Sequence, residues 1–136
     1  MRTNSLVLFA LAVVGCGTSV SYTQLNSPPH ALSPRSPESV KLYLSAPPTE
    51  PFVEIGMIES QQQSGYSLDD TQAIYDKMRE EAGHRGCDGL VVVGTNNATQ
   101  ISVSRTMVNS TTLKGYRASC IAFTNSSTTS TTSAKY

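Results

Sequence analysis

The chain has no tryptophan, and its aromatic content is limited to six tyrosines and three phenylalanines. A hydrophobic core therefore has to be assembled from Val, Ile, Leu, Met and Ala. Ten basic residues balance ten acidic ones, so the net charge is zero, and no basic patch marks a nucleic-acid-binding surface. No apolar run is long enough to span a bilayer; the longest candidate, Leu6 to Val14, is too short. There is no CxxC or HxxxH pair, no GxGxxG and no GK[ST], which removes the signatures of zinc ribbons and phosphate-binding loops.

The start of the chain is organised. Met1-Arg2-Thr3-Asn4 is charged, Leu6 to Val14 is apolar, and small residues end the run in Val13-Val14-Gly15-Cys16. This is the layout of a secretory signal, expected over residues 1–15. Val-Val-Gly-Cys resembles the lipobox of bacterial lipoproteins, and that resemblance implies that Cys16 becomes the acylated N-terminus, carrying diacylglycerol and an amide-linked palmitate-type chain. A single acyl chain binds membranes marginally, whereas two or more anchor stably. Gly17 follows the cysteine; in enteric-type lipoproteins this implies sorting to the outer membrane, facing the periplasm. The expected location is the bacterial cell envelope, with the membrane as a partner through the lipid anchor.

Assigning Cys16 to lipid leaves Cys87 and Cys120. In an exported chain an even remainder reads as a disulfide. A 33-residue separation assigns such a bridge about 3–4 kcal/mol in the chain-entropy model. His84, Cys87, Asp88 and Cys120 can instead be drawn as a zinc site, or Cys87 as a nucleophile with His84 as base. Oxidation removes the thiolates that either chemistry needs, and nothing marks an oxyanion hole. Glu54, Glu59, Asp69 and Asp70 are scattered and read as solvated charges and helix caps. The expectation is a non-enzyme without cofactor or metal.

Residues 16–38 read as the lipidated cysteine and a tether, because Asn26 to Pro37 holds four prolines and little to bury. Residues 125–136 read as a disordered Ser/Thr-rich tail. The domain is expected over 39–124. Val40 to Leu44 reads as a short strand, Phe52 to Glu59 as a second with Val53, Ile55 and Met57 on one face, and Gln61 to Gly65 as a polar loop. Ser67 as N-cap and Asp70 at N3 open a helix whose apolar stripe is Thr71, Ile74, Tyr75, Met78 and Ala82, with Gly83 as its C′ residue. Leu90 to Val93 reads as a buried strand. Ile101, Val103 and Met107 alternate with Ser102, Ser104 and Thr106 in a half-exposed strand; Asn109 to Thr112 turns the chain, and Tyr116 to Phe123 is the last strand. The polar face Ser102, Ser104 and Thr106 is a solvated face, with carbohydrate or a peptide edge as the functional alternative. The predicted fold is α+β, a mixed sheet of four to five strands with one helix packed on it, in the order β-β-α-β-β-β.

Four segments resemble a group of small bacterial envelope lipoproteins that includes the outer-membrane sensor lipoprotein of the Rcs phosphorelay. They are Pro51-Phe52-Val53-Glu54-Ile55-Gly56, Arg79-Glu80-Glu81-Ala82-Gly83, Gly86-Cys87-Asp88-Gly89-Leu90-Val91-Val92 and Gly115-Tyr116-Arg117-Ala118-Ser119-Cys120-Ile121. The resemblance covers about residues 50–123. Cys120 stands where that sensor has a disulfide cysteine; Cys87 and the Ile101 to Val108 strand have no counterpart there. The resemblance implies a sensor of envelope stress signalling to an inner-membrane partner as an alternative role. The lead expectation is a binding or structural module that contacts another envelope protein or a cell-wall component.

Overall fold

A computed structural model describes residues 17–125 of the chain. The signal segment, Cys16 and all but the first residue of the Ser/Thr tail lie outside the described residues. Among the described residues the strands are β1 (Thr18–Gln24), β2 (Lys41–Tyr43), β3 (Phe52–Gln62), β4 (Gly89–Thr95), β5 (Ala98–Val103), β6 (Val108–Leu113) and β7 (Gly115–Phe123), and one α-helix, α1 (Thr71–Arg85), separates β3 from β4. Five strands form one mixed sheet in the order β1-β3-β7-β4-β2, and β5 and β6 form a separate two-stranded hairpin. The α+β class is as the sequence predicts.

Strand periodicity decides which side chains face the helix. Ile58, Ala118, Leu90, Cys120 and Ala122 point to one face of the sheet, where they meet Ile74, Met78 and Ala82 of α1 in a single core. The opposite face carries Met57, Val91 and Phe123, half-buried. β3 departs from the simple alternation expected of it. A bulge between Glu54 and Gly56 inserts one residue, so Ile55 and Ile58 are both buried and Met57 turns outward. The freed Ile55 carbonyl accepts from the Leu25 and Asn26 N–H groups at 2.9 and 3.2 Å.

The tether reading of residues 17–38 is corrected. Residues 18–24 pair along the whole second half of β3 as an edge strand, with Val20 and Tyr22 packed against the core and Ser19, Ser21 and Thr23 exposed. That alternation is present in the sequence, but it sits directly after the lipobox, and the prolines beyond it dominate the composition. The prolines form a strap rather than a spacer. Between β1 on one edge of the sheet and β2 on the other, the chain passes the C-terminal end of α1, where the Arg35 N–H donates to the Gly83 carbonyl at 2.9 Å and Leu32 packs on the core. Extended proline-rich backbone needs no internal hydrogen bonds, so it can lie across a helix end wherever its few donors find partners.

The helix boundaries shift for the same reason. Asp70, not Ser67, is the N-cap: its carboxylate accepts from the Ala73 N–H at 2.8 Å. Gly86, not Gly83, ends the helix, in the left-handed conformation at φ 76°. Gly83 is instead a buried helical residue, and a methyl group there would lie 2.5 Å from the Arg35 carbonyl oxygen. Three further expectations are corrected. Gln61 and Gln62 extend β3 rather than starting a loop. Ile101 to Met107 is not one strand: the chain reverses at Ser104–Met107, where the Ser104 N–H donates to the Met107 carbonyl at 2.8 Å. Asn109–Thr112 is strand β6, not a turn; because every side chain of the hairpin except Leu113 is exposed, no apolar alternation announces it.

Replacing Gly83 by alanine should raise the intrinsic helix propensity by about 1 kcal/mol yet lower the stability of the domain, because the strap backbone must move. The expected net loss in urea unfolding is about 1–3 kcal/mol; a stabilised Gly83→Ala protein would show that the strap does not press on the helix.

Candidate functional site

Cys87, Asp88 and Cys120 come together at one end of the sheet. Cys87 leaves α1 through Gly86 and is bonded to Cys120 of β7, with Cα atoms 5.6 Å apart. The pairing works because β7 lies directly beside β4, antiparallel to it, with Cys120 opposite Leu90. The hairpin that intervenes in sequence is displaced out of the sheet. Both cysteines are fully buried, so neither sulfur is a thiolate available to zinc or to a substrate. His84 is exposed on the last turn of the helix. Among the described residues no three His, Cys, Asp or Glu side chains come together as a metal-binding group.

Asp88 joins four segments at this end. One carboxylate oxygen is ion-paired with Arg35 of the strap. The other accepts from the Phe123 N–H at 2.8 Å. Its own N–H donates to the Ile121 carbonyl at 2.9 Å, and its carbonyl accepts from Lys41 at 3.3 Å. Asp88 is therefore a structural tie rather than a ligand or a base. The other carboxylates named from the sequence also have structural partners or stand exposed. Glu59 pairs with Arg117 across β3 and β7 at 2.5 Å, Asp70 caps the helix, and Glu54 is exposed.

The opposite end of the sheet receives the start of the described chain. The Gly17 carbonyl accepts from the Gln63 N–H at 2.9 Å. The Thr18 hydroxyl donates to Asp69 at 2.7 Å, and Lys77 reaches the same carboxylate oxygen at 2.6 Å. These donors, Lys77 foremost and Thr18 next, hold the Asp69 carboxyl below its ordinary value of 3.8. Gln62, buried, uses both ends of its amide: it donates to the Asp69 carbonyl at 3.0 Å and accepts from the Lys114 N–H at 2.8 Å. The polar stretch Gln61 to Gly65 thus organises this end, a role that its composition alone does not reveal.

The β5–β6 hairpin projects from the same end. Its root is held by the Asn96 N–H to the Gly115 carbonyl at 2.8 Å, and by the Gly65 N–H to the Gln100 side chain at 3.3 Å. One face of the hairpin is polar: Gln100, Ser102, Asn109 and Thr111 form a recess of about 340 Å³ with Gly65 and Tyr66. The other face carries Ile101, Val103 and Val108. Ser102 lies on the polar face, whereas Ser104 and Thr106 belong to the turn, so the three do not form the continuous strand face expected of them. A surface recess of about 530 Å³ is an open mixed-charge groove between the 3₁₀ turn at Pro37–Ser39 and α1.

No family model matches the chain, and no curated protein matches it. A solved structure, the Francisella virulence factor FvfA in an orthorhombic crystal form, is similar over 74% of this chain and 96% of its own, at 17% identity and a TM-score of 0.42. A likeness of that degree carries no conclusion about function.

Two outcomes follow from this geometry. Replacing Cys87 and Cys120 together by alanine should cost about 3–4 kcal/mol in urea unfolding, and the native protein should show no reactive thiol at either position until it is both unfolded and reduced. Asp69, whose folded-state value is depressed, adds stability above its ordinary value, and that contribution fades as pH falls through the folded value. Asp69→Asn should flatten the acid limb of a stability-against-pH curve measured between about pH 6 and pH 2, while leaving the Cys87–Cys120 bridge intact.

Proposed function

We propose that the chain is a lipid-anchored bacterial cell-envelope lipoprotein, a non-enzymatic binding or structural module held at the membrane through Cys16, in the outer membrane and facing the periplasm. The observation that carries this reading is Val13-Val14-Gly15-Cys16 at the end of a charged and apolar leader. A buried disulfide suits an oxidising compartment. The titratable groups picked out in the sequence support it from the other side: they serve as caps, ties and ion pairs instead of converging on a substrate-sized cavity.

The fold alters how such an anchor would act. Cys16 immediately precedes Gly17, and Gly17 is already hydrogen-bonded to Gln63 beside the first residue of β1. A lipid on Cys16 would hold the domain directly against the leaflet, not at the end of a proline spacer. The described chain leaves β7 at the Asp88 end, opposite the end at which Gly17 lies. The partner is then another envelope protein or a cell-wall component within reach of a surface-bound domain.

Expressed in a bacterial host with radiolabelled palmitate, the protein should incorporate label and float with membranes, and Cys16→Ala should do neither. Equal labelling of the two would remove the anchor.

A further inference from the structure

We infer that the β5–β6 hairpin is a second membrane contact, an apolar wedge that enters the interface of the leaflet holding the lipid on Cys16. The inference rests on the anchor reading and adds to it the surface through which the domain lies on the bilayer.

The large exposed apolar residues of the hairpin lie in its outer half. Ile101, Val103, Met107 and Val108 are 66%, 74%, 59% and 69% exposed. Val103 and Val108 stand opposite one another at the last pair of the ladder, and Ile101 shares their face. Apart from the Ala98–Leu113 pair at its base, the rest of the hairpin is Ser, Thr, Asn and Gln, so no apolar stripe of the kind that docks along a protein groove runs its length. Exposed apolar residues gathered this way mark an interaction site rather than ordinary surface scatter.

What covers the tip is indicated by where the anchor leaves the fold. Gly17 is tied to Gln63; two residues on, Gly65 lies against Thr111 and donates to Gln100. From Gln100 to Val103 is three residues of strand, about 10 Å. The same loop holds Tyr66 and Leu68, both almost fully exposed. A phenol ring and an aliphatic side chain beside a lipid attachment point are placed as interfacial residues are.

Charge agrees with a phospholipid surface. No acidic residue follows Asp88 anywhere in the chain, whereas Arg105 and Lys114 do, one in the turn of the hairpin and one at its base. The overall neutrality hides this asymmetry. A tip with four apolar side chains, an arginine and no carboxylate fits an anionic lipid interface, where cations are attracted to headgroup phosphates.

The test uses the full-length lipidated protein in vesicles of phosphatidylethanolamine and phosphatidylglycerol. With Cys16 acylated and Cys87 bonded to Cys120, a fluorescent probe can be attached selectively at Val103→Cys and, as a control at the far end, at Thr124→Cys. Lipids bearing a nitroxide on the acyl chain should quench the Val103 probe about threefold more than the Thr124 probe, as expected of a side chain held within the interface. Equal quenching on vesicles that carry the protein overturns the wedge and leaves the anchor standing. Protein that fails to float with the vesicles removes the anchor, and the wedge with it. A Val103 probe that stays in water on vesicles but crosslinks to a protein in native membranes assigns the tip to a protein partner and overturns the inference.

Discussion

The Asp88 carboxylate holds together the part of the molecule on which the rest depends. It sits in the three-residue link between α1 and β4, and it binds the strap through Arg35 and the end of β7 through Phe123. The disulfide beside it fixes the same link to β7 by a covalent bond. A single helix on a five-stranded sheet buries one face well and leaves the edges to be organised by other means. Here the edges are linked by a proline strap that has to cross the helix end, and Asp88 is where that crossing is secured. Hydrogen bonds to a charged carboxylate are among the stronger ones available to a partly exposed site.

Gly83 and Gly86 make the crossing possible in different ways. Gly86 supplies the left-handed conformation that turns the chain from the helix into Cys87. Gly83 supplies the missing side chain that lets the Arg35 backbone touch the helix. The helix end is reinforced from the β1 side, where the Arg85 guanidinium lies 4.6 Å over the Tyr22 ring while bonding Glu81. Edge strand, strap and helix terminus are thus one assembly.

The two ends of the sheet are built differently. The Asp88 end is closed by covalent and ionic ties. The Gly17 end is polar where it is packed, through Asp69, Lys77 and Gln62, and apolar where it projects, through the hairpin tip. Gly17, the first described residue, lies at this second end. An isolated two-stranded hairpin is marginally stable in water, so a projecting arm with an apolar tip gains from a surface that receives it.

The elements legible in the sequence were those whose signal is local. The helical stripe from Ile74 to Ala82, the existence of the strand that begins at Leu90, the last strand and the pairing of Cys87 with Cys120 follow from periodicity and from counting cysteines once Cys16 is set aside. Of the run read as buried only Leu90 is, while Val91 and Val92 are half-buried and Val93 is exposed, because the hairpin that follows lies outside the sheet and covers neither face. β1 was legible in the alternation of Val20 and Tyr22 with Ser19, Ser21 and Thr23, but its neighbours obscured it. The bulge at Ile55, the N-cap at Asp70, the contact at Gly83 and the strand β6 were decided by tertiary structure. Each depends on a partner distant in sequence: a second strand that tolerates an extra residue, a helix start set by what its cap can reach, a strap 48 positions upstream of the glycine it presses on, and a hairpin stabilised by pairing alone. The sequence by itself determined the class of fold, the helical side of its core and the Cys87–Cys120 crosslink, because apolar period and oxidised cysteine need no knowledge of neighbours. Tertiary structure decided that the prolines bind the fold instead of extending it, because an extended backbone without internal hydrogen bonds takes its place only from what it touches.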